Sequence, residues 1–214
     1  MTRLTILASK LLPVRNASTL LVALILIATS APTLAKPEVG APAPDFSGVD
    51  SEGQTWTLDE LEGQRIILEW TNHDCPYVQK HYQTGNMQAL QREAIAAGYL
   101  WLSVISSAPG KQGHVGAEKA NELTETRNAA PTAVLLDAEG TIGRAYGART
   151  TPHLFVIDED GTLVYMGGID DRPTSDPADV AGAENYVRAA MAELAAGGSV
   201  SRSVTRPYGC SVKY

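Results

Sequence analysis

Short apolar runs of strand length alternate with amphipathic stretches over most of the chain. Runs rich in Ile, Leu and Val predict strands at residues 65–70, 99–106, 132–136, 154–158 and 162–166. The turn signal Asp160-Gly161 separates the last two runs and predicts that they pair as a hairpin. We expect these runs to form one central sheet.

Helical stretches lie between the predicted strands. One helix is expected after Pro76 and a second over residues 87–97, because Gly85 interrupts the stretch between them. Two further helical stretches lie at residues 117–126 and 186–194. Strands that alternate with helices, followed by a closing hairpin and helix, predict the α/β fold class.

The first 35 residues have the composition of a secretory signal. Three basic residues precede an apolar run over residues 20–28, and the small residues at 33–35 fit a cleavage site. The alternative is a retained membrane anchor, but the run is shorter than the ~20 residues that span a bilayer. The expected organisation is a cleaved signal peptide (1–35), one domain (36–198) and a C-terminal tail (199–214) that carries Cys210.

Composition and charge exclude several classes of protein. The 214 residues are 44% apolar and 19% charged, which is typical of a globular chain rather than a disordered one. The formal net charge is −7, and loss of residues 1–35, which hold three basic groups and no acidic ones, would make it −10. A chain this acidic is not expected to bind nucleic acid. Two cysteines are too few for a disulfide-scaffold mini-protein or a four-cysteine zinc module.

The predicted signal also indicates where the protein works. An exported chain whose signal is removed is expected to be soluble, and no cysteine lies near the cleavage site to carry a lipid. We therefore expect no stable membrane anchor. In a Gram-negative host the compartment would be the periplasm, where a disulfide can persist.

Cys75 is the candidate reactive residue. It follows the strand at 65–70 after a short polar loop, and Pro76 suits the first turn of a helix, where an N–H would have no intrahelical partner. A cysteine at a helix N-terminus is stabilised as thiolate by the helix dipole and by free N–H groups. Thiolate is the reactive form, so we interpret Cys75 as a nucleophile; the alternative is a buried structural cysteine.

Four segments resemble the thioredoxin-like redoxins, the group that holds thioredoxin, the TlpA/ResA-type thiol-disulfide oxidoreductases and the AhpC/TSA peroxiredoxins. They are VGAPAPDF (39–46), the turn at 50–53, the strand–loop–Cys75–helix unit, and YGARTTPHLFVIDEDG (146–161). The resemblance implies the thioredoxin-like fold, in which helices flank a mixed central sheet. It also implies that Pro152 is a cis-proline in a substrate groove, which would be formed by Thr151, Pro152, His73 and Pro76.

The chain departs from both branches of this group. Thioredoxins have a second cysteine three residues after the first, and Val78 stands there. Peroxiredoxins have Thr or Ser three residues before the cysteine, where this chain has Asn72. The peroxide-binding Arg of the peroxiredoxins aligns with Pro152, although Thr71 and Arg149 stand close by and could substitute.

Glu69 is a carboxylate inside the apolar run 65–70, six residues before Cys75. Thioredoxin, which this segment resembles, carries a buried Asp at this spacing. Burial raises the pKa of a carboxyl group and lets it exchange protons near neutrality. Glu69 is therefore a candidate proton acceptor for thiol chemistry, unless strand alternation turns it towards solvent.

Cys210 is the candidate second thiol. It lies 135 positions after Cys75, and Pro207 and Gly209 can shape a turn that lays it over the start of the helix. Resolving cysteines in C-terminal tails occur among the peroxiredoxins, which the chain resembles. Three interpretations stay open: a redox-active pair, a structural disulfide worth ~4–5 kcal/mol on the loop-entropy model, and an unpaired or intermolecular thiol.

The function predicted from these residues is that of a thiol-based oxidoreductase with Cys75 as the nucleophile. Its substrate would be a protein or small-molecule disulfide or peroxide, and a thiol reductant or oxidant would recycle it. We expect no cofactor and no metal. The alternatives are a peroxiredoxin-like thiol peroxidase and a binding module with an inert disulfide.

A periplasmic copper carrier of thioredoxin fold is a further alternative. Soft Cys and His side chains suit copper, and the candidate ligands are His73, Cys75, His81, His153 and Cys210. Copper carriers of this fold usually hold two cysteines four residues apart, whereas position 79 here is Gln.

Overall fold

The computed structural model describes Met1 and residues 36–214. Apart from Met1, the predicted signal peptide (1–35) lies outside the described residues. The strands, in chain order, are β1 (Ser47–Val49), β2 (Thr55–Thr57), β3 (Arg65–Trp70), β4 (Tyr99–Ile105), β5 (Ala133–Leu136), β6 (Thr150–Thr151), β7 (His153–Ile157), β8 (Leu163–Gly167) and β9 (Cys210–Ser211). The α-helices are α1 (Pro76–Gln83), α2 (Asn86–Ala96), α3 (Ala117–Thr126), α4 (Thr141–Ala145) and α5 (Tyr186–Ala195).

The central sheet has five strands in the order β5-β4-β3-β7-β8. Strands β3, β4 and β5 run parallel, while β7 pairs antiparallel with both β3 and β8. Two helices, α1 and α2, make the crossover between β3 and β4, as a parallel pair requires. The sheet is therefore mixed and flanked by helices, as predicted.

The two faces of β3 contribute to two separate cores. Ile66, Leu68 and Trp70 pack with side chains from α4 and the segment before β1. Ile67 points to the other face, where the apolar sides of α1, α2 and α5 cover the sheet. Because side chains alternate along a strand, Glu69 shares the helix-covered face with Ile67.

Most predicted elements are present within a few residues of the predicted bounds. The helix α4 and the short strands β6 and β9 were not predicted. Strands β6 and β9 have two residues each and pair antiparallel with one another, Thr151 opposite Cys210. Two residues give no periodicity to detect, and the pairing joins positions about 60 residues apart in the sequence.

The C-terminal tail is docked on the domain. The N–H of Val212 donates to the carbonyl of Arg149 at 3.0 Å, and the N–H of Ala108 donates to the carbonyl of Lys213 at 2.8 Å. Nearer its start, the Thr205 hydroxyl accepts from the N–H of Gly168 at 3.0 Å. The tail is thus attached on both sides of Cys210. Within residues 36–214, no helix has the length and apolarity needed to cross a membrane.

Candidate active site

Cys75 stands at the junction between β3 and α1. It is the N-cap residue of α1, and Pro76 occupies the first helical position. The loop before it is held by Asn72, whose carbonyl accepts from the Cys75 N–H at 3.1 Å and whose side chain accepts from the Asp74 N–H at 2.9 Å. The sequence therefore predicted the local setting of Cys75 correctly.

The Thr151–Pro152 peptide bond lies directly against this cysteine. The bond is cis, as the resemblance implied. The Cys75 thiol donates to the Thr151 carbonyl with an S···O distance of 3.1 Å. Three parts of the chain, the start of α1, the cis-proline loop and the tail, therefore meet at Cys75.

Gly209 lets the tail approach this closely. Its φ is +130°, and a Cβ built on it would lie 2.0 Å from the Thr151 oxygen. A side chain at position 209 would therefore collide with backbone that cannot move aside cheaply. The glycine next to Cys210 is required by this close approach and by the backbone conformation.

The two thiols are neighbours in the same packed cluster, and their pKa values move apart. Burial raises the pKa of Cys75, but the neighbouring Cys210 thiol brings that pKa below its usual value. Burial, together with the hydrogen bond and charge of Cys75, raises the pKa of Cys210 to about 11. Cys75 is therefore the member of the pair that ionises first. Both cysteines are free thiols in this structure; Cys75 is 0% exposed and Cys210 is half-buried.

Glu69 is fully buried, so it does not turn towards solvent. Its carboxylate accepts hydrogen bonds from four neutral donors on β4, α1 and α2: Trp101 Nε1 (2.9 Å), Ser103 Oγ (3.0 Å), Tyr82 Oη (3.0 Å) and Gln91 Nε2 (3.3 Å). Burial raises its pKa, although these hydrogen bonds oppose the rise. Neither cysteine is among its hydrogen-bond partners in the part of the chain that the structure describes.

The other predicted groove residues differ in their burial and in the side chains that they contact. Thr151 and Pro152 are buried beside Cys75, and Pro76 is exposed at the helix start. His73 lies 3.3 Å from Asp74 and lines a surface cleft with side chains of α1 and α3 that contains neither cysteine. Burial lowers the pKa of His73, which works against a histidinium there.

The five candidate copper ligands do not come together as one group in the described part of the chain. The ring of His153 packs against Phe155 with centroids 4.4 Å apart, and burial lowers its pKa to about 3. His81 is hydrogen-bonded to Tyr208 and Asn86. No group of three or more His, Cys, Asp or Glu side chains suited to a metal ion occurs among the described residues. The three histidines of the candidate copper set therefore contact different parts of the fold, whereas Cys75 and Cys210 are neighbours.

The positions that depart from the redoxin pattern have clear structural roles. Val78 is fully buried in the core under α1, where thioredoxins would have their second cysteine. Asn72 shapes the loop as described above, and its amide donates to the Gln112 carbonyl at 3.2 Å. Arg149 lines a cavity of about 480 Å³ together with His153, and neither cysteine lines that cavity.

Sequence reasoning missed a buried polar cluster formed by Lys80, His81, Asp170 and Tyr208. The sequence indicated His81 only as a candidate copper ligand and gave no role to Asp170. The available signal was helical spacing, since His81 lies three residues after the apolar Val78 and so on the same face. Nothing local pointed to Asp170 or Tyr208 as its partners.

Comparison with solved structures shows the fold. A hypothetical protein from Sinorhizobium meliloti is 24% identical, covers 84% of this chain and 96% of its own, and has a TM-score of 0.69. An uncharacterized conserved protein from Geobacillus kaustophilus is 22% identical, covers 83% of this chain and 92% of its own, and has a TM-score of 0.70. The exposed lipoprotein thioredoxin of Streptococcus pneumoniae is also similar, with 24% identity, coverage of 57% and 87%, and a TM-score of 0.46. The first two similarities concern the fold, and the mixed five-stranded sheet flanked by helices is the thioredoxin-like arrangement that the resemblance predicts.

The search of curated proteins finds no match. A family model does match, and its description is the AhpC/TSA family. The match extends over residues 39–166, which is more than half of the chain and includes β1 to β7, Cys75 and the cis-proline loop. The chain belongs to the AhpC/TSA family.

Proposed function

We propose that the protein is an exported thiol-disulfide oxidoreductase in which Cys75 is the nucleophile and Cys210 the resolving thiol. The observation that carries this proposal is that Thr151 joins the two cysteines: it pairs with Cys210 in the β6–β9 ladder, and its carbonyl accepts from the Cys75 thiol at the N-cap of α1. Opposite pKa shifts support the assignment of roles, because the thiolate is the attacking species.

In the proposed reaction, the Cys75 thiolate attacks one sulfur of a substrate disulfide. The substrate S–S bond breaks, a mixed disulfide forms, and the first substrate thiolate leaves and takes up a proton. Cys210 then loses its proton and attacks the Cys75 sulfur. This second step forms the Cys75–Cys210 disulfide and releases the second substrate thiol, so the substrate gains two electrons and two protons.

Recycling requires a dithiol partner that reduces the Cys75–Cys210 disulfide. Cys210 is half-buried whereas Cys75 is fully buried, so the partner's thiolate is expected to attack the Cys210 sulfur. The Cys75 thiolate is then the leaving group, and its lowered pKa favours departure.

Glu69 is included in the proposal as the buried proton acceptor. Its support is complete burial on the helix-covered face of β3 and a raised pKa. Tyr82 of α1 donates to this carboxylate, so the group is coupled to the helix that begins at Cys75. Export to the periplasm is supported by the basic and apolar pattern of residues 1–35.

A thiol peroxidase is the second candidate, and membership of the AhpC/TSA family favours it. In that reaction the Cys75 thiolate attacks a peroxide oxygen, the O–O bond breaks, and a sulfenic acid and an alcohol or water form. Cys210 then attacks the sulfenic sulfur and releases water. The position of Arg149 in a cavity that excludes both cysteines counts against a bound peroxide.

The deciding experiment is thiol counting by mass spectrometry on the protein alkylated before and after mild reduction. We expect an intramolecular Cys75–Cys210 disulfide that forms with oxidant and is reduced by dithiothreitol. Cys75→Ser should abolish turnover with every substrate, while Cys210→Ser should trap a mixed disulfide or a sulfenic acid on Cys75.

The trapped species distinguishes the two candidates. A mixed disulfide with a reduced peptide product supports the disulfide oxidoreductase, and a sulfenic acid formed at stoichiometric peroxide supports the peroxidase. Two thiols that both stay free under oxidant, or turnover by Cys75→Ser, would contradict both assignments.

A further inference from the structure

A cluster of charged and polar side chains is buried beneath the tail. Lys80 is 1% exposed, His81 is 0% exposed and Asp170 is 3% exposed. The Lys80 ammonium donates to the Arg172 carbonyl at 2.8 Å and lies 3.8 Å from Asp170 Oδ2. His81 Nε2 lies 3.9 Å from the same carboxylate oxygen. None of these polar contacts involves Glu69 or either cysteine, so the cluster takes no part in the chemistry described above.

Burying such a cluster is unfavourable in desolvation free energy, so it is a poor source of general stability. Removing a lysine and an aspartate from water has a desolvation cost that their mutual attraction often fails to offset, and apolar residues of similar volume frequently do as well. Asp170 Oδ2 has no hydrogen bond to any described residue, which adds to the cost. If the cluster has a role other than general stability, the residues that it contacts should indicate that role.

The contact is Tyr208, a residue of the tail. Its hydroxyl donates to Asp170 Oδ1 and lies 3.2 Å from His81 Nε2. Its ring lies 5.5 Å from the Lys80 ammonium and 5.9 Å from the ring of Tyr77, in an edge-to-face arrangement. A cation over an aromatic face is attractive, and more so when it is desolvated. Tyr208 is therefore held by its hydroxyl and by its ring.

The hydrogen bonds of the cluster have a consistent direction. Burial and the neighbouring Lys80 charge lower the pKa of His81 to about 3, so the ring is neutral and carries one N–H. The Asn86 amide donates to His81 Nδ1 at 2.8 Å. The N–H therefore sits on Nε2 and donates to the Tyr208 oxygen, whose own proton goes to Asp170.

The cluster also connects the two thiols through one helix. Cys75 is the N-cap of α1, and Lys80 and His81 lie in the second turn of the same helix. Tyr208 lies two residues before Cys210, and only Gly209 separates them. A residue with a side chain at position 209 would collide with the Thr151 backbone. A fixed Tyr208 therefore leaves Cys210 little freedom relative to Cys75.

We infer that Lys80, His81 and Asp170 are positioning residues that anchor Tyr208 and thereby hold Cys210 against Cys75. The inference rests on the proposed function of the two thiols. Strand β9 contributes only two residues of pairing, so the anchor supplies the local constraint that this pairing lacks.

The test is Tyr208→Phe in the full chain, which keeps the ring between Lys80 and Tyr77 and removes the hydroxyl. The measurement is the equilibrium between the Cys75–Cys210 disulfide and the dithiothreitol couple. We expect disulfide formation to become about tenfold less favourable, which is ~30 mV for a two-electron couple. Tyr146→Phe is the matched control, because the buried Tyr146 hydroxyl has no hydrogen-bond partner among the described residues. It should leave the equilibrium unchanged.

A second readout separates positioning from general damage. In a Cys210→Ala background, the pH dependence of Cys75 alkylation should be the same with Tyr208 and with Phe at position 208. The double variant Lys80→Met/Asp170→Asn, which leaves no unpaired charge, should lower the disulfide equilibrium at least as much as Tyr208→Phe.

The outcomes are distinguishable. A wild-type protein that forms no reversible Cys75–Cys210 disulfide overturns the proposed function itself. A wild-type disulfide whose equilibrium is unchanged by Tyr208→Phe overturns the anchor and leaves the proposed function standing. An altered Cys75 profile in the Cys210→Ala background also overturns the anchor, because the hydroxyl would then act on the whole site.

Discussion

Cys75 and Cys210 carry the same chemical group and are neighbours in one packed cluster, yet they belong to two very different regions of the molecule. Cys75 is buried at the N-cap of an eight-residue helix, between the sheet and the cis-proline loop. Cys210 lies in a two-residue strand of the tail and is partly exposed. The pKa of Cys75 falls and that of Cys210 rises. The comparison teaches that packing, not residue type, divides the proposed roles of nucleophile and resolving thiol.

The largest effect on the disulfide equilibrium is expected from a substitution that moves the tail around Cys210 away from the cis-proline loop beside Cys75. In Gly209→Val the new Cβ would meet the Thr151 oxygen, and overpacking of ~2–3 kcal/mol corresponds to about a hundredfold in equilibrium. We expect disulfide formation between Cys75 and Cys210 to become about a hundredfold less favourable, and alkylation of Cys75 to become faster because its cover is displaced. Equilibration with dithiothreitol and alkylation kinetics measure the two effects.

Gly116→Val is the control for this substitution. Gly116 is exposed, has an ordinary φ of −86° and has no atoms within 4 Å of a built Cβ. It should behave as the wild type in both assays. A Gly209→Val protein with a normal disulfide equilibrium would show that the tail does not depend on close approach to the cis-proline loop.

Removing either thiol should shift the pKa of the other. Cys210→Ala takes away a hydrogen bond to the Cys75 thiolate, so the pKa of Cys75 should rise. Cys75→Ala takes away a hydrogen bond and a charge, so the pKa of Cys210 should fall below about 11. A hydrogen bond to a charged group contributes ~1.5–3 kcal/mol, which is about one to two pH units. The pH dependence of iodoacetamide alkylation reports both values, and two unchanged profiles would mean that the thiols do not interact.

The smallest expected effect concerns Glu69, which is hydrogen-bonded to neither thiol. Its replacement tests whether the difference between the pKa values of Cys75 and Cys210 depends on this buried carboxylate. Its folded-state pKa is raised above 4.5, so the folded protein binds more protons than the unfolded one between these two pKa values. The free energy of unfolding should therefore fall as pH rises through this window, by at most ~1.4 kcal/mol per pH unit.

In Glu69→Gln this slope should disappear, as urea denaturation over a pH series would show. The two thiol pKa values should stay close to those of the wild type. Persistence of the slope would mean that another group causes it. Unchanged turnover in this variant would remove Glu69 from the proposed mechanism.

Local signals in the sequence predicted much of the fold and the setting of Cys75. The apolar run Arg65–Trp70 gave β3, and Pro76 after Cys75 marked the start of α1, because Pro fits the first helical turn. The cis bond before Pro152 came from the family resemblance, since nothing in Thr151 and Pro152 alone separates cis from trans.

Several features of the site depend on contacts between residues far apart in the sequence. Glu69 was ambiguous in sequence, because strand alternation is equally compatible with a buried and an exposed face until helices cover one of them. His73 and His153 were both candidate copper ligands beside the cysteines, yet each lines a cavity that contains neither cysteine. The anchor of Tyr208 on Lys80 and Asp170 has no local signature.

The sequence by itself determined the α/β class, the order of the main elements and a cysteine at a helix N-terminus, because periodicity and capping act over a few neighbouring residues. Only the tertiary structure decided that Cys210 lies against Cys75, that Gly209 must be a glycine, and that a buried ion pair lies beneath the tail. These features join residues more than 50 positions apart, and such contacts are fixed by how the elements pack rather than by the residues next to them in the chain.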